Sequence, residues 1–220
     1  RNPLTPIQLS AERLQVKLAG KLAESDAEVL TRSTQTIVNQ VAALKNMVDA
    51  FSQYARTPEP SMRELDLNAL TREVLTLYEA SLGGAVRLDL SAALPGVVGD
   101  AAQLRQVIHN LMQNAQDALA DTADPRITIS SGTEAGMVRL TVADNGCGFP
   151  ENVIRRAFEP YVTTKPGGTG LGLAIVKKIV EEHGGAATIA NVAPRGARVT
   201  IQLPATTLDI ARRPAARVQV

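Results

Sequence analysis

Over the amino-terminal quarter of the chain, apolar residues recur at helical spacing. Leu4, Ile7, Ala11, Leu14 and Leu18 step by three and four, and so do Ile37, Val41, Leu44, Val48, Phe51 and Ala55. Each series is a seam of the coiled-coil kind, so two helices are predicted. Ala23-Glu24-Ser25-Asp26 is a short polar connection that folds them back as an antiparallel hairpin. One hairpin leaves much of each apolar stripe in water. A second copy of the chain would bury both stripes in a four-helix bundle, which predicts a homodimer; packing of the hairpin on the chain's own globular part is the alternative.

The pattern changes at Thr57-Pro58-Glu59-Pro60-Ser61. A residue before proline is pushed out of the α region and two prolines stiffen the backbone beyond it, so the second helix ends at a domain boundary and hinge. Past this boundary, Asp66 is placed to cap a helix with Leu67, Leu70, Val74, Leu75 and Leu77 inside. Asp100 is placed to cap another over 101–120, with Leu104, Val107, Ile108, Leu111, Met112, Ala115 and Leu119 as its apolar stripe. Val86–Leu90 alternates as a strand, and further strands are predicted at about 126–131, 137–143, 186–191 and 197–203. The fold class is therefore α+β: a helical hairpin, four helices as a dimer, followed by an α/β sandwich with helices on one face of a mixed sheet. The boundaries are 1–57 for the hairpin, 58–62 for the linker and 63–205 for the sandwich. A tail, 206–220, contains Arg212, Arg213, Pro214 and Arg217 and has no period; it is read as a mobile end or an interdomain extension.

Composition narrows the function classes. Lys and Arg number 23 against 22 Asp and Glu, a net charge of +1 that gives no global field for nucleic acid or an anionic membrane surface. Cys147, the one cysteine, can form neither an internal disulfide nor a Cys-based zinc site, which suits a reducing compartment. Its neighbourhood allows a redox role or an incidental small residue. No apolar run approaches the ~18 residues of a bilayer span and no signal peptide is visible, so the chain as it stands is expected to be soluble.

The chemistry concentrates between Asp144 and His183. Val138, Leu140 and Val142 alternate with Arg139 and Thr141, a strand that delivers Asp144 to its end, where a carboxylate can accept from the exocyclic amine of a base. Gly146 and Gly148 allow turns and close approach, which suits adenine. Gly168, Gly170 and Gly172 lead into Leu171, Leu173, Ala174, Ile175 and Val176, a glycine-rich turn opening a helix whose N–H groups suit phosphate oxygens. Between the clusters, some twenty irregular residues carry Thr163, Thr164 and Lys165, as a cover over a phosphate chain requires. A solvated loop lysine is the plainer reading of Lys165. On the predicted helix, Asn110 and Asn114 lie four apart beside the apolar stripe, where a carboxamide oxygen is a suitable neutral ligand for Mg²⁺ shared with a nucleotide. Taken alone, such a pair equally caps loops or bonds core backbone.

In this order the motifs resemble the kinase core of a two-component sensor histidine kinase, with an ATP-binding domain of the superfamily that includes gyrase, Hsp90 and MutL. The matching segments are Asn110-Leu111-Met112-Gln113-Asn114-Ala115 (N box), Asp144-Asn145-Gly146-Cys147-Gly148 (G1 box), Phe158 (F box) and Gly168-Thr169-Gly170-Leu171-Gly172 (G2 box). The resemblance implies adenine recognition by Asp144, Mg²⁺ coordination by Asn114, and phosphate-side contacts from Asn110 and the glycine-rich lid. The opening Arg1-Asn2-Pro3-Leu4-Thr5-Pro6 resembles the second half of the H box, and with Gln8 to Leu14 it is most similar to the NtrY type of nitrogen-regulation kinases. Aligned so, the phosphoacceptor histidine and its acidic neighbour fall immediately before Arg1. Asn2 then holds the position that in related kinases takes part in dephosphorylating the response regulator; Pro3 and Pro6 equally suit a helix-start kink.

His109 and His183 follow no H-box pattern, and His183 before Gly184-Gly185 suits a helix C-cap with a dipole contact. No P-loop string occurs, and the glycine cluster lies too late for a dinucleotide fingerprint. Gln106 stands where hydrolytic relatives carry a glutamate at the start of the N box, which favours transfer to a protein over hydrolysis. The expected activity is autophosphorylation from MgATP on a histidine ahead of Arg1, then relay to an aspartate of an NtrX-like response regulator. A non-catalytic dimeric ATP-responsive module that docks or dephosphorylates a regulator is the alternative. The resemblance places the chain in the cytoplasm, attached to a membrane only through segments upstream.

Overall fold

Small side chains set the closest approach within the hairpin. In the computed structural model, helix α1 (Leu4–Leu18) and helix α2 (Glu24–Ala55) pack on one another, with Ala11, Thr34 and Val41 buried between them. Thr34 satisfies its hydroxyl on the Leu30 carbonyl at 2.8 Å. The model describes residues 4–55, 60–165 and 168–206, with the backbone alone at 46, 49–51 and 53–55. The connection runs from Ala19 to Ala23 and turns at Gly20, φ +74°. Glu24, Ser25 and Asp26 are thus not the connection but the first turn of α2, where Glu24 and Asp26 meet the positive end of the helix dipole. Of the predicted seams, Ala11 and Val41 are buried, whereas Ile7, Leu14, Ile37, Leu44 and Val48 are 41–52% exposed. Phe51 and Ala55 lie outside the described side chains.

The chain divides into two units, Arg1–Thr57 with Lys165–Thr169, and Pro58–Thr164 with Gly170–Val220. The second is the sandwich. Its strands are β1 (Arg63–Leu65), β2 (Val86–Leu90), β3 (Val97–Gly99), β4 (Ile127–Glu134), β5 (Met137–Asp144), β6 (Ala186–Asn191) and β7 (Ala197–Pro204). Its helices are α3 (Leu67–Leu75), α4 (Glu79–Leu82), α5 (Ala101–Ala118), α6 (Glu151–Ile154) and α7 (Gly172–Glu182). Five strands form one sheet in the order β2-β4-β5-β7-β6, and β1 and β3 form a separate antiparallel ribbon. Only the β2–β4 pair is parallel; the other three pairs are antiparallel, which makes the sheet mixed as predicted. Beta-4 extends past the predicted end because Thr133 and Glu134 keep pairing up to a two-residue turn, Ala135-Gly136, with φ of +49° and +77°.

Alternation directs Ile127, Ile129, Val138, Leu140, Val142, Val199, Ile201 and Leu203 inward. Helix α5 packs on β5 and α7 on β6 and β7, presenting Leu104, Val107, Ile108, Leu111, Met112, Val176, Ile179 and Val180, all buried. Each such side chain contributes about 1.5–3 kcal/mol through its burial. One core position departs from prediction. Helix α3 ends at Leu75, and a tighter turn over Thr76–Tyr78 shifts the phase, so Leu77 is 73% exposed and Tyr78 is buried in its place. The Tyr78 hydroxyl lies 2.7 Å from His109 Nδ1 and 3.2 Å from the His109 carbonyl, and burial, aided by the charge of Asp117, pushes the phenol pKa up.

His183 is the C-cap of α7, as its place before Gly184-Gly185 predicts, and its ring makes a second tie that the sequence does not announce. The Asp100 N–H donates to its Nε2 at 3.0 Å, so Nδ1 is left to donate to the Ile179 carbonyl at 2.7 Å. The buried ring is a cross-tie between the end of α7 and the start of α5, and a Cβ on Gly99 would stand 2.8 Å from it. Asp100 in turn caps α5, accepting from Ala102 N–H at 2.8 Å and Gln103 N–H at 3.0 Å, and it also accepts from Ser61 N–H at 2.8 Å. These bonds, that of Gln103 foremost, hold its carboxyl below the usual range against the opposing effect of burial. A depressed acid stabilises the fold above its unfolded pKa, and that contribution is lost as pH falls through the folded value. Asp100→Ala is accordingly expected to cost ~1–2 kcal/mol in urea unfolding at pH 7. The gap from the parent should close below the ordinary carboxylate range; a gap independent of pH would show that the carboxylate is not the cap.

Candidate functional site

Asp144 is the last residue of β5, and its orientation is fixed from two sides. Its Oδ1 accepts from the Gly146 N–H at 2.9 Å, within its own loop, and from the Ala197 N–H at 3.3 Å, at the start of β7. Asn145 anchors the loop outward, donating from Nδ2 to the Asp124 carbonyl at 2.7 Å and accepting at Oδ1 from the Arg126 N–H at 2.8 Å. Gly146 lies against the end of α5: a Cβ there would be 2.3 Å from the Ala118 carbonyl oxygen, to which the Cys147 N–H donates at 3.2 Å. On the far side, Gly196 (φ +118°) has room for no side chain, because a Cβ would stand 2.0 Å from the Asp144 carbonyl oxygen. That conformation is closed to L-residues in any case.

Asn110 and Asn114 are both half-buried on α5, and with Ala118 they fall four residues apart on one face. Asn110 Nδ2 donates to the Gly172 carbonyl at 3.3 Å. A Cβ built on Gly172 would meet only the Asn114 carboxamide, at 3.6 and 3.9 Å, so the backbone there leaves space over that amide. This face of α5 therefore runs from the start of α7 to the loop after Asp144. Helix α7 has at its N-cap Leu171, a fully buried anchor that supplies no side-chain cap, whereas α3 and α5 are each capped by an aspartate. A helix start without an anionic cap keeps its dipole for a ligand. Just ahead of it, the Tyr161 N–H donates to the Gly170 carbonyl at 3.0 Å, with φ of +67° and +65° at the two residues. The bond ties the two ends of the intervening loop.

One body thus carries Asn110, Asn114, Asp144, Gly146, Gly148, Gly170, Leu171 and Gly172, together with half-buried Phe158 and exposed Thr163 and Thr164. Lys165, Gly168 and Thr169 group instead with the helical unit; within that segment the Gly168 N–H donates to the Lys165 carbonyl at 3.1 Å. Asn2 lies outside the described residues. Gly196, Ala197 and Asn191, which support the Asp144 loop from the β6–β7 hairpin, belong to none of the sequence motifs. The one signal that could point to them is the turn residue Gly196 between two predicted strands. As to Mg²⁺, no group of three or more His, Cys, Asp or Glu that could hold a metal ion exists among the described residues. The neutral carboxamide of Asn114, with space beside it, fits an ion that arrives with nucleotide phosphates and keeps its own waters.

Residues 99–207 match the model of the histidine kinase-, DNA gyrase B-, and HSP90-like ATPase family. The nitrogen regulation protein NtrY of Azorhizobium caulinodans is 39% identical over 92% of this chain, which spans 27% of that relative's length. Among solved structures, the nucleotide-free catalytic domain of the histidine kinase ThkA is similar at 33% identity and a TM-score of 0.58, covering 66% of this chain and 96% of that one. ThkA in complex with the response regulator protein TrrA is similar at 26% identity and a TM-score of 0.67, over 92% of this chain and 59% of that one.

Proposed function

Because the chain belongs to the histidine kinase-, DNA gyrase B- and HSP90-like ATPase family, as the core of a sensor histidine kinase of the NtrY type, we propose that it binds MgATP and serves to transfer the γ-phosphoryl group to a histidine immediately ahead of Arg1, at the start of the helical hairpin. The observation that carries the proposal is the gathering of Asn110, Asn114 and Asp144 around glycine positions that leave no room for, or leave open, a Cβ. In this reading Asp144 accepts from the adenine amine, while Asn110 and the first N–H groups of α7 receive phosphate oxygens. Thr163, Thr164, Lys165, Gly168 and Thr169 belong to the lid that covers them. Asn114 holds Mg²⁺, which when bound neutralises charge on the β- and γ-phosphates. What remains for the protein is positioning and exclusion of water, the main sources of rate in phosphoryl transfer.

The ThkA complex supports a response regulator as the recipient of the group, which we take to be an NtrX-like protein, with Asn2 at the position that assists dephosphorylation. No described helix is long and apolar enough to cross a membrane, and we assign the unit to the cytoplasmic side of an inner-membrane-anchored bacterial sensor, where ATP and regulators are found. Calorimetry tests the nucleotide reading: ADP with Mg²⁺ should bind the chain, and Asp144→Asn should weaken binding roughly tenfold to hundredfold, the effect of a charge-assisted hydrogen bond. Unchanged affinity in that variant would remove Asp144 from the site.

The exposure of Ile7, Leu14, Ile37, Leu44 and Val48 along the hairpin supports a homodimer built as a four-helix bundle. A fragment starting at Ser61 should run as a monomer in light scattering and still bind ADP. A dimeric fragment would move the interface out of the hairpin.

A further inference from the structure

The loop that follows Asp144 is gripped by a side chain that none of the nucleotide motifs contains. Asn191, the last residue of β6, accepts at Oδ1 from the Phe149 N–H and donates from Nδ2 to the Phe149 carbonyl, both at 2.8 Å. The carboxamide thus pairs with the Phe149 backbone as a neighbouring strand would, one step past the end of the sheet. Between Asp144 and Phe149 stands Gly148, φ +69°, where a Cβ would meet the Gly196 carbonyl oxygen at 3.0 Å and Asn191 Oδ1 at 3.1 Å. The other end of the same hairpin holds Asp144 itself, through the Ala197 N–H and the close approach of Gly196. Asn191 and Ala197 face each other across the hairpin, and the Val192 N–H closes its turn on the Gly196 carbonyl at 3.0 Å.

Resting on the nucleotide reading above, we infer that Asn191 is a positioning residue for the base: it sets the depth and angle of residues 145–149, and with them the fit around adenine. A loop with glycine at 146 and 148 has little stiffness of its own. Asp144 and Gly146 are each held by neighbours in contact with the core, but Phe149 among the described residues has its N–H and its carbonyl on one exposed side chain. Exposed hydrogen bonds add little to global stability, since water replaces them readily. What they can do here is select one loop conformation, and the phosphate end of the site, built on α5 and α7, does not depend on that selection.

This separation defines the test. The whole chain and its Asn191→Ala variant are titrated by calorimetry with ADP, GDP and inorganic tripolyphosphate, each with Mg²⁺, and their melting temperatures are compared. Asn191→Ala should weaken ADP about tenfold and narrow the preference for ADP over GDP. It should leave tripolyphosphate within about twofold and the melting temperature nearly unchanged. Asn191→Asp, which retains the acceptor but sets a carboxylate against the Phe149 carbonyl, should behave like the alanine variant. A parallel loss of ADP and tripolyphosphate with a lower melting temperature would reduce Asn191 to a structural residue, and unchanged ADP affinity would overturn the inference outright. Failure of the parent chain to bind ADP at all would instead overturn the nucleotide reading beneath it.

Discussion

Extending the chain by His-Glu-x ahead of Arg1 is expected to convert a protein that does not label itself from γ-labelled ATP into one that does, with acid-labile phosphate on the new histidine. As it stands, the chain offers two imidazoles, and neither is poised for attack. His183 is buried with both ring nitrogens engaged, on Asp100 and Ile179, and His109 directs Nδ1 at the Tyr78 hydroxyl from within α5. In the extended chain, Asn114→Ala should abolish labelling, because the hold on Mg²⁺ and hence on the transferring group is lost. Label mapped to His109 or His183 without the extension would place the phosphoacceptor in the sandwich and overturn its assignment ahead of Arg1.

Gly196→Ala is expected to damage the sandwich severely. Its φ of +118° is closed to alanine, and the added carbon would overlap the Asp144 carbonyl oxygen and press on the Asn145 Cα at 2.8 Å. Relief requires the β6–β7 turn and the Asp144 loop to part, which costs on the order of 4 kcal/mol or more, a large share of a domain's stability. The urea midpoint should fall accordingly, and ADP binding should be lost even where folding survives. Gly172→Ala provides the contrast, since its Cβ meets nothing closer than 3.6 Å. Equal midpoints for Gly196→Ala and the parent would contradict the packing described.

What the sequence disclosed followed its periods. The stripes of α5 and α7 and the alternation of β5 and β7 were legible because burial on one face leaves a regular trace, and the aspartate caps at Asp66 and Asp100 were legible from the chemistry of helix starts. The ribbon of β1 and β3 was not, since three residues are too few to show a period. Leu77 leaves the stripe that its spacing suggests because a tight turn changes the phase after Leu75, and no residue there announces it. The hairpin turn comes earlier than Ser25 and Asp26 suggest, because both residue types suit a helix start as well as a loop. At the candidate site, the residues predicted to bind lie in motifs, but those that brace the motifs, Asn191 and Gly196, lie some fifty residues away and are brought alongside by strand pairing.

The anchoring of Asn145 bears on how the protein ages. Asparagine followed by glycine is the dipeptide most prone to deamidate: the glycine nitrogen attacks the side-chain carbonyl carbon, ammonia leaves, and the resulting succinimide is hydrolysed by water to aspartate or isoaspartate. Here the Asn145 carboxamide is tied at both ends, to Asp124 and Arg126, and the Gly146 N–H is committed to Asp144. Cyclisation requires all three bonds to break together, so the folded chain should accumulate isoaspartate at this position only as fast as the loop opens. The bonds that orient the Asp144 carboxylate thus also slow a spontaneous covalent lesion one residue away.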